Sequence, residues 1–453
     1  MVAISSKALK ILEDLFPNRL LTGSEALPYG VDASQLCFRP QAVVLPETKE
    51  EVLEILRLAD LYQFPIVSRG SGTATTGSSL PIEGGLVVSF TRMNRILEVN
   101  PEERIVVVEP GVLNGDLKEY LKKYGLFYPP DPASYAFSTI GGNVATGAGG
   151  PRGLKYGTTK DYVLSLLVGL PGGNSFKTGP TTLKGVVSYN LTPLFVGSEG
   201  TLGVFLEIYL KVIPLPPQRT LFLLYLPKEE EGLSLIGEIL LQGLTPASAE
   251  FVDKTSLVAI RENLEGLPAS TEALLFLELD GKETEVREDG QFLEKFLKAK
   301  GYSFEKAEME EEIEQLWEIR RIIAPSLKKL GPKKIADDVV VPRKKMREFL
   351  KFLREWEKES GIYIAAFGHV GDGNFHVNLL FEEEKKDVAQ KVRESVLKKV
   401  LELYGTISGE HGIGYTKRPY VAWELNPLQL EIMKKLKAIF DPKGLLNPHI
   451  KWP

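Results

Sequence analysis

The 453 residues are more than one ordinary hydrophobic core can use, so two or three packed units are expected. Apolar residues at 43%, charged residues at 25%, and dispersed Gly (42) and Pro (29) are the composition of a globular chain and exclude disorder. The 60 acidic and 55 basic residues alternate along helical stretches and leave a net charge of -5, which excludes nucleic-acid binding. The lone Cys37 excludes an internal disulfide and a finger-type zinc site.

At the N-terminus, Lys7, Lys10, Glu13 and Asp14 interrupt Ile4, Leu9, Ile11, Leu12 and Leu15. That spacing predicts an amphipathic helix rather than a signal peptide. With the single cysteine it points to a reducing, cytoplasmic compartment. The longest apolar runs are far below the ~20 residues of a spanning helix, so no transmembrane segment is expected and any membrane association is peripheral.

Residues 41–45 read as a short strand, 47–62 carry helical spacing, and 64–68 read as a buried strand entering the loop RGSGT. Further strands are expected at 85–90, 96–99 and 104–109. From 129 to 203 glycine becomes dense, in PPDPASYAFSTIGGNVATGAGG, LPGGNSF and GSEGTLG, as turns or close backbone approach to a ligand require. IPLPPQ at 213–218 reads as a domain boundary. Beyond it, alternation at 220–226 and 273–279 predicts an antiparallel sheet with helices packed on one side. The last 20 residues read as a terminal helix followed by a loop.

All four histidines, His369, His376, His411 and His449, lie in the last fifth of the chain. In IYIAAFGHVGDGNFHVNLL, the dipeptide Asp372-Gly373 suits a two-residue type I′ turn. Counting outward pairs Gly371 with Asn374, Val370 with Phe375 and His369 with His376, with the imidazoles on one face and Cβ atoms about 4.5–5.5 Å apart. Two neutral histidines so placed can share a metal. In ISGEHGIG, Glu410 offers a third ligand and His411 is left as a base, which fills the count of a catalytic metal with an open position. One such motif alone would read as a capped turn; two motifs holding three of the four histidines read as a site. His449 reads as a surface or packing residue.

RGSGT places Arg69, Gly70, Ser71, Gly72 and Thr73 at a strand end, where backbone N–H groups can cradle a pyrophosphate. Neither G-x-G-x-x-G nor a P-loop occurs, so a nicotinamide Rossmann domain and a P-loop are poorly supported.

Taken together, RGSGT, YPPDPASYAFSTIGGNVATGAGGPRGLKYG, VGSEGTLG, FGHVGDGNFH, SGEHGIG and FDPKGLLNP follow in order along nearly the whole chain. In this the sequence resembles the FAD-linked oxidases of the vanillyl-alcohol oxidase type. Within them it is similar to the branch of glycolate oxidase FAD subunits, D-lactate dehydrogenases and D-2-hydroxyglutarate dehydrogenases. The resemblance implies an α+β fold, with a two-subdomain FAD-binding (PCMH-type) domain and an antiparallel-sheet cap domain with flanking helices. The implied boundaries are 1–35 for an N-terminal helical segment, 36–217 for the FAD domain, 218–430 for the cap and substrate domain, and 431–453 for a segment returning to the FAD domain. Pro130, Asp131, Ser134, Thr139, Gly141, Gly142, Asn143, Ala145, Tyr156, Gly157, Glu199 and Gly200 match cofactor-contacting segments, and Asn447 matches the tail position near the flavin.

Some members attach FAD covalently through His or Cys. No histidine precedes residue 369 here, and Cys37, in the apolar run CFRPQAVV, is expected to be a buried packing residue. Non-covalent FAD is therefore expected, beside a divalent metal (Zn, Mn or Fe) on His369, His376 and Glu410. The implied activity is oxidation of a D-2-hydroxy acid, with FAD as hydride acceptor and His411 as general base. The segment LWEIRRIIAP aligns Arg320 with the arginine that grips the substrate carboxylate. The lysine that 2-hydroxyglutarate-specific members use falls on Ala336, and a nearby threonine position on Ala324, so a lactate- or glycolate-like substrate is favoured. The electron acceptor is unidentified, an iron–sulfur partner subunit being one candidate, and a homo-oligomer is expected. Alternatives are a FAD-bearing subunit inactive alone, an ether-lipid-forming transferase on the same fold, and a metallohydrolase using the His/His/Glu set.

Overall fold

Residues 3–264 and 266–452 of the computed structural model are described, and they divide into two units. The first comprises Met1–Gly149, Thr158–Leu215 and Glu410–Pro453; the second comprises Gly150–Gly157 and Pro216–Gly409. Among the described residues no helix is long and apolar enough to cross a membrane.

In the first unit the opening apolar spacing becomes helix Ser6–Leu15, started by Ser5, whose hydroxyl accepts the Ala8 N–H. Helix Lys49–Tyr62, capped by Thr48, buries Val52, Ile55, Leu56 and Ala59 at helical intervals. Both helices share a core with Ala42, Val44, Ile66, Leu86 and Val88. The alternate residues Val43, Val67 and Val87 pack with Ala26 in a second cluster. Burial on both faces explains the unbroken apolar runs of strands Ala42–Val44, Leu86–Ser89 and Ile66–Arg69, which are parallel neighbours in that order. The outer edge of Ile66–Arg69 is covered by the C-terminal segment. Ile66 N–H donates to Leu445 O, and Asn447 N–H donates to Ile66 O, both at 2.8 Å. A second sheet, antiparallel, runs in the order Ile96–Asn100, Ile105–Val108, Val204–Lys211, Val163–Gly169, Ser175–Lys177.

Cys37 departs from expectation, because its side chain is exposed. The apolar run around it enters no sheet until Ala42; Cys37 makes only an isolated bridge to Val31, and the odd-numbered residues from Val31 to Arg39 face solvent.

The second unit is built on a seven-stranded sheet, ordered Ser303–Ala307, Gln218–Leu226, Ala273–Gly281, Ser248–Val252, Tyr363–His369, Asn374–Phe381, Lys333–Val340, with every pairing antiparallel. Leu221, Leu223, Leu274, Phe276 and Phe367 form a core with Ile313, Ile323 and Leu327 of the helical segments 310–329, and Phe276 stacks on Trp317 at 5.6 Å. Helix Met346–Ser360 is tied in by Arg354. Its guanidinium donates to Glu229 Oε1 (2.8 Å), Glu357 Oε2 (2.7 Å), the Ile364 carbonyl (2.8 Å) and the fully buried Asp253. Burial disfavours the cation, but three surrounding carboxylates overcome that and raise its pKa above the ordinary arginine value. Removing such a cation strands buried carboxylates, so Arg354→Ala is expected to destabilise this unit by about 3–5 kcal/mol in urea unfolding. A midpoint within error of the unaltered protein would contradict this.

Candidate functional site

Strand Ile66–Arg69 runs directly into the RGSGT loop, facing the start of helix Ile140–Thr146. Thr139 caps that helix, its hydroxyl accepting the Gly142 N–H at 3.2 Å. A Cβ placed on Gly70 would run into Thr139 Oγ1, so only glycine lets the loop approach the helix so closely. The cavity alongside has a volume of about 1010 Å³ with the solvent at its mouth included, room for a large extended ligand.

Of the residues expected around a cofactor, Gly70, Ser71, Gly72, Thr73, Ser134, Thr139, Gly142, Asn143, Ala145, Glu199 and Gly200 line this cavity, and Glu410 and His411 line it too. Asn143 is buried, and its Nδ2 donor has no hydrogen-bond partner among the described residues, which a bound acceptor would satisfy. Sequence reasoning missed Thr75, Ser78 and Ser79, which also line the cavity. They lie in ATTGSSLP, immediately after the loop that was recognised.

Other expected residues lie outside the lining. Arg69 donates to the Val31 carbonyl at 2.8 Å, and its guanidinium lies 5.9 Å from the Tyr29 ring. Asp131 pairs with Lys118, the Pro130 carbonyl accepts from Asn114 Nδ2 at 3.3 Å, and Gly141 abuts Pro110. Tyr156 and Gly157 belong to the second unit, where Tyr156 Oη donates to Asp280 at 2.7 Å.

Glu199 and Asn447 hold the backbone around the cavity. The Glu199 carboxylate accepts the N–H groups of Ile413 (3.0 Å) and Gly414 (2.7 Å), fixing the segment just after His411. Asn447 Nδ2 donates to the carbonyls of Glu199 (2.6 Å) and Ser78 (2.8 Å). His411 itself is about one-third exposed, its carbonyl accepts from Thr76 Oγ1 at 3.3 Å, and its Nε2 lies 3.9 Å from Glu410 Oε1. His449, in contrast, pairs with Glu83 at 2.5 Å near the surface.

In the second unit the histidine hairpin does not have the expected register. His376 stands opposite Phe367, not His369, and His369 instead pairs across the sheet with Glu250. The two-residue turn is replaced by a four-residue connection, 370–373, between strands ending at His369 and starting at Asn374. Flanking contacts draw it open. Gly368 adopts φ +148, its carbonyl accepts the Val370 N–H, and the Gly373 carbonyl accepts the Val341 N–H at 3.0 Å. A slip of two residues, unlike a slip of one, leaves every side chain on its original face. The imidazoles therefore still meet, Nε2 to Nε2 at 3.3 Å and edge to face at 5.0 Å.

Sequence reasoning also missed Glu250. It is 1% exposed, with one carboxylate oxygen on His369 Nδ1 and the other 2.8 Å from Arg320 Nε. Burial alone would push its pKa up; the charges of His369 and Arg320 outweigh that and hold it below the usual carboxylate range. In its neutral form, His369 can meet this acceptor-only carboxylate only through Nδ1–H, which leaves the Nε2 lone pair directed toward His376, the arrangement of metal-binding histidines. Arg320 lies 4.6 Å over the Phe367 ring, and its Nη1 and Nη2 make no hydrogen bond to the described residues, leaving a planar fork for a carboxylate. No sequence pattern singles out Glu250, one glutamate in an apolar strand, before its partner strand is known.

Residues 40–179 match the family described as FAD binding domain, and residues 215–450 match FAD linked oxidases, C-terminal domain. The chain is 40% identical over 428 residues to glycolate oxidase subunit GlcD of Bacillus subtilis, covering 93% of this chain and 91% of that protein. It is 35% identical over 465 residues to D-lactate dehydrogenase of Anaerostipes hadrus, covering 98% and 97%. Among solved structures, an alkyldihydroxyacetonephosphate synthase superposes with a TM-score of 0.77 at 20% identity, over 98% of this chain and 84% of that one, a likeness of fold.

Proposed function

Because the chain belongs to the FAD-linked oxidases, we propose that it oxidises a D-2-hydroxy acid of lactate or glycolate size to the 2-oxo acid, with non-covalent FAD and a divalent cation. The observation that carries the metal part of this reading is the His369–His376 pair, two ring nitrogens at 3.3 Å with His369 oriented by a buried carboxylate. Glu410 is the proposed third ligand. For FAD, the glycine-lined cavity, the capped start of helix Ile140–Thr146 and the unsatisfied Asn143 donor suit a pyrophosphate-bearing ligand.

FAD, when bound, supplies the two-electron acceptor. The cation, when bound, supplies Lewis acidity at the substrate hydroxyl. In this reading the Arg320 fork takes the substrate carboxylate and fixes which hydrogen is presented. His411 takes the hydroxyl proton. Ala336, opposite Asn378 in the ladder, offers only a methyl where a second acid group would need a cation, which favours a monocarboxylate. Cys37, although exposed, is absent from the cavity lining and so offers no covalent tether there.

Dye-linked turnover of the purified protein tests this reading. D-lactate or glycolate should reduce the dye, and D-2-hydroxyglutarate should be poor; a protein that turns over only the dicarboxylate would overturn the assignment. The relatives' description as an oxidase subunit favours a second reading, in which the chain works as one subunit of an assembly and passes its electrons to a partner. Dye reduction by the chain alone distinguishes a self-sufficient dehydrogenase from a subunit that needs its partner. For the cofactor, Gly70→Val adds bulk against Thr139 inside the cavity. The expected product is folded but colourless protein, checked by visible absorption against circular dichroism; normal flavin content would contradict it.

A further inference from the structure

We propose that Glu250 is a positioning residue that sets the metal-binding histidine and the substrate-binding arginine together, so that ion affinity and substrate affinity share one buried carboxylate. This rests on the reading above, in which His369 binds the ion and Arg320 the substrate.

The strand register places Glu250 directly across from His369, and Phe367 lies one step along on the same face. Arg320 packs over Phe367 and turns its Nε to Glu250 Oε2 at 2.8 Å, while Oε1 of the same carboxylate meets His369 Nδ1. The two oxygens thus hold two different functional groups at once. On His369 this pins the Nδ1–H tautomer and leaves Nε2 as the ligand atom. On Arg320 it consumes Nε and leaves the Nη pair, the fork that matches a carboxylate.

A carboxylate can accept on both oxygens, whereas an amide accepts on one and donates from the other. Glutamine at 250 must therefore present N–H to either Arg320 or His369, both of which donate. One of the two loses its orientation, and the remaining cation loses its counter-charge. Neither effect follows from a role in packing alone, because glutamine keeps the shape of the side chain.

The test uses the full chain loaded with FAD, with Mn²⁺ alone as the probe, free ion being counted by electron paramagnetic resonance. Glu250→Gln is expected to weaken Mn²⁺ binding by roughly 10–100-fold and to raise KM for D-lactate at saturating Mn²⁺, with flavin content unchanged. Arg320→Lys should raise KM and leave Mn²⁺ binding intact, which separates direct substrate contact from shared positioning. Glu250→Asp keeps the charge but shortens the reach, and serves if the glutamine variant does not fold. It should bind Mn²⁺ less tightly than the unaltered chain. Mn²⁺ affinity and KM both within twofold of the unaltered protein in the folded variant would overturn the proposal. His376→Ala, run alongside, keeps the two failures apart. If it binds Mn²⁺ normally, the metal reading itself fails. If it loses the ion while Glu250→Gln does not, only the role of Glu250 fails.

Discussion

His376→Ala is expected to lose its divalent ion and about a thousandfold in kcat/KM for D-lactate while keeping its flavin. His376 is one of two imidazoles whose Nε2 atoms approach to 3.3 Å, and it lies in the antiparallel sheet of the second unit. The proposed FAD cavity is lined by first-unit residues, so flavin retention and ion loss are separable readings. A bound cation's stabilisation of the developing alkoxide is worth several kcal/mol, and about 4 kcal/mol corresponds to roughly a thousandfold in rate. Metal content by atomic absorption, flavin by visible spectrum and turnover by dye reduction make the three measurements. An unaltered rate in ion-free His376→Ala would remove the metal from the chemistry.

His411→Ala is expected to lower kcat for D-lactate by about 10²–10⁴-fold, the range for deleting a general base. His411 stands at the cavity in the SGEHGIG segment, whose next residues are held by Glu199 at 2.7–3.0 Å. Because Glu199 bonds the backbone of Ile413 and Gly414 rather than the imidazole, the substitution should leave that segment in place. Added imidazole should restore part of the rate by filling the space left by the ring. Loss of flavin from His411→Ala, or a rate within a few fold of normal, would assign His411 a structural role instead.

Much of this molecule is legible in the sequence because its signals are local. The strand entering RGSGT, the helix at 49–62 and the alternation at 220–226 and 273–279 each depend on periodicity within one segment, and each element forms where its pattern lies. The face shared by His369 and His376 was legible too, since a period of two survives a register slip of two. The register itself was not. It is decided by Glu250, which pairs with the hairpin from a distant strand, and by Val341, which bonds it from just past the end of another, whereas the turn propensity of Asp372-Gly373 is a local preference that those contacts override. Cys37 failed for the same reason, because an apolar run implies burial only if it joins a sheet, and this one does so only from Ala42. Glu250 and Arg69 mark the other limit. Whether a charged side chain faces a ligand or serves a neighbour depends on partners 119 residues away for Glu250 and 38 for Arg69, and composition carries no trace of that choice.

The most direct measurement is anaerobic mixing of the FAD-loaded protein with D-lactate or glycolate while the visible flavin band is recorded. Bleaching of the oxidised band, with one 2-oxo acid formed per flavin reduced, is the expected result. A flavin that stays oxidised with both acids, in protein that retains FAD and divalent ion, would contradict the proposed activity.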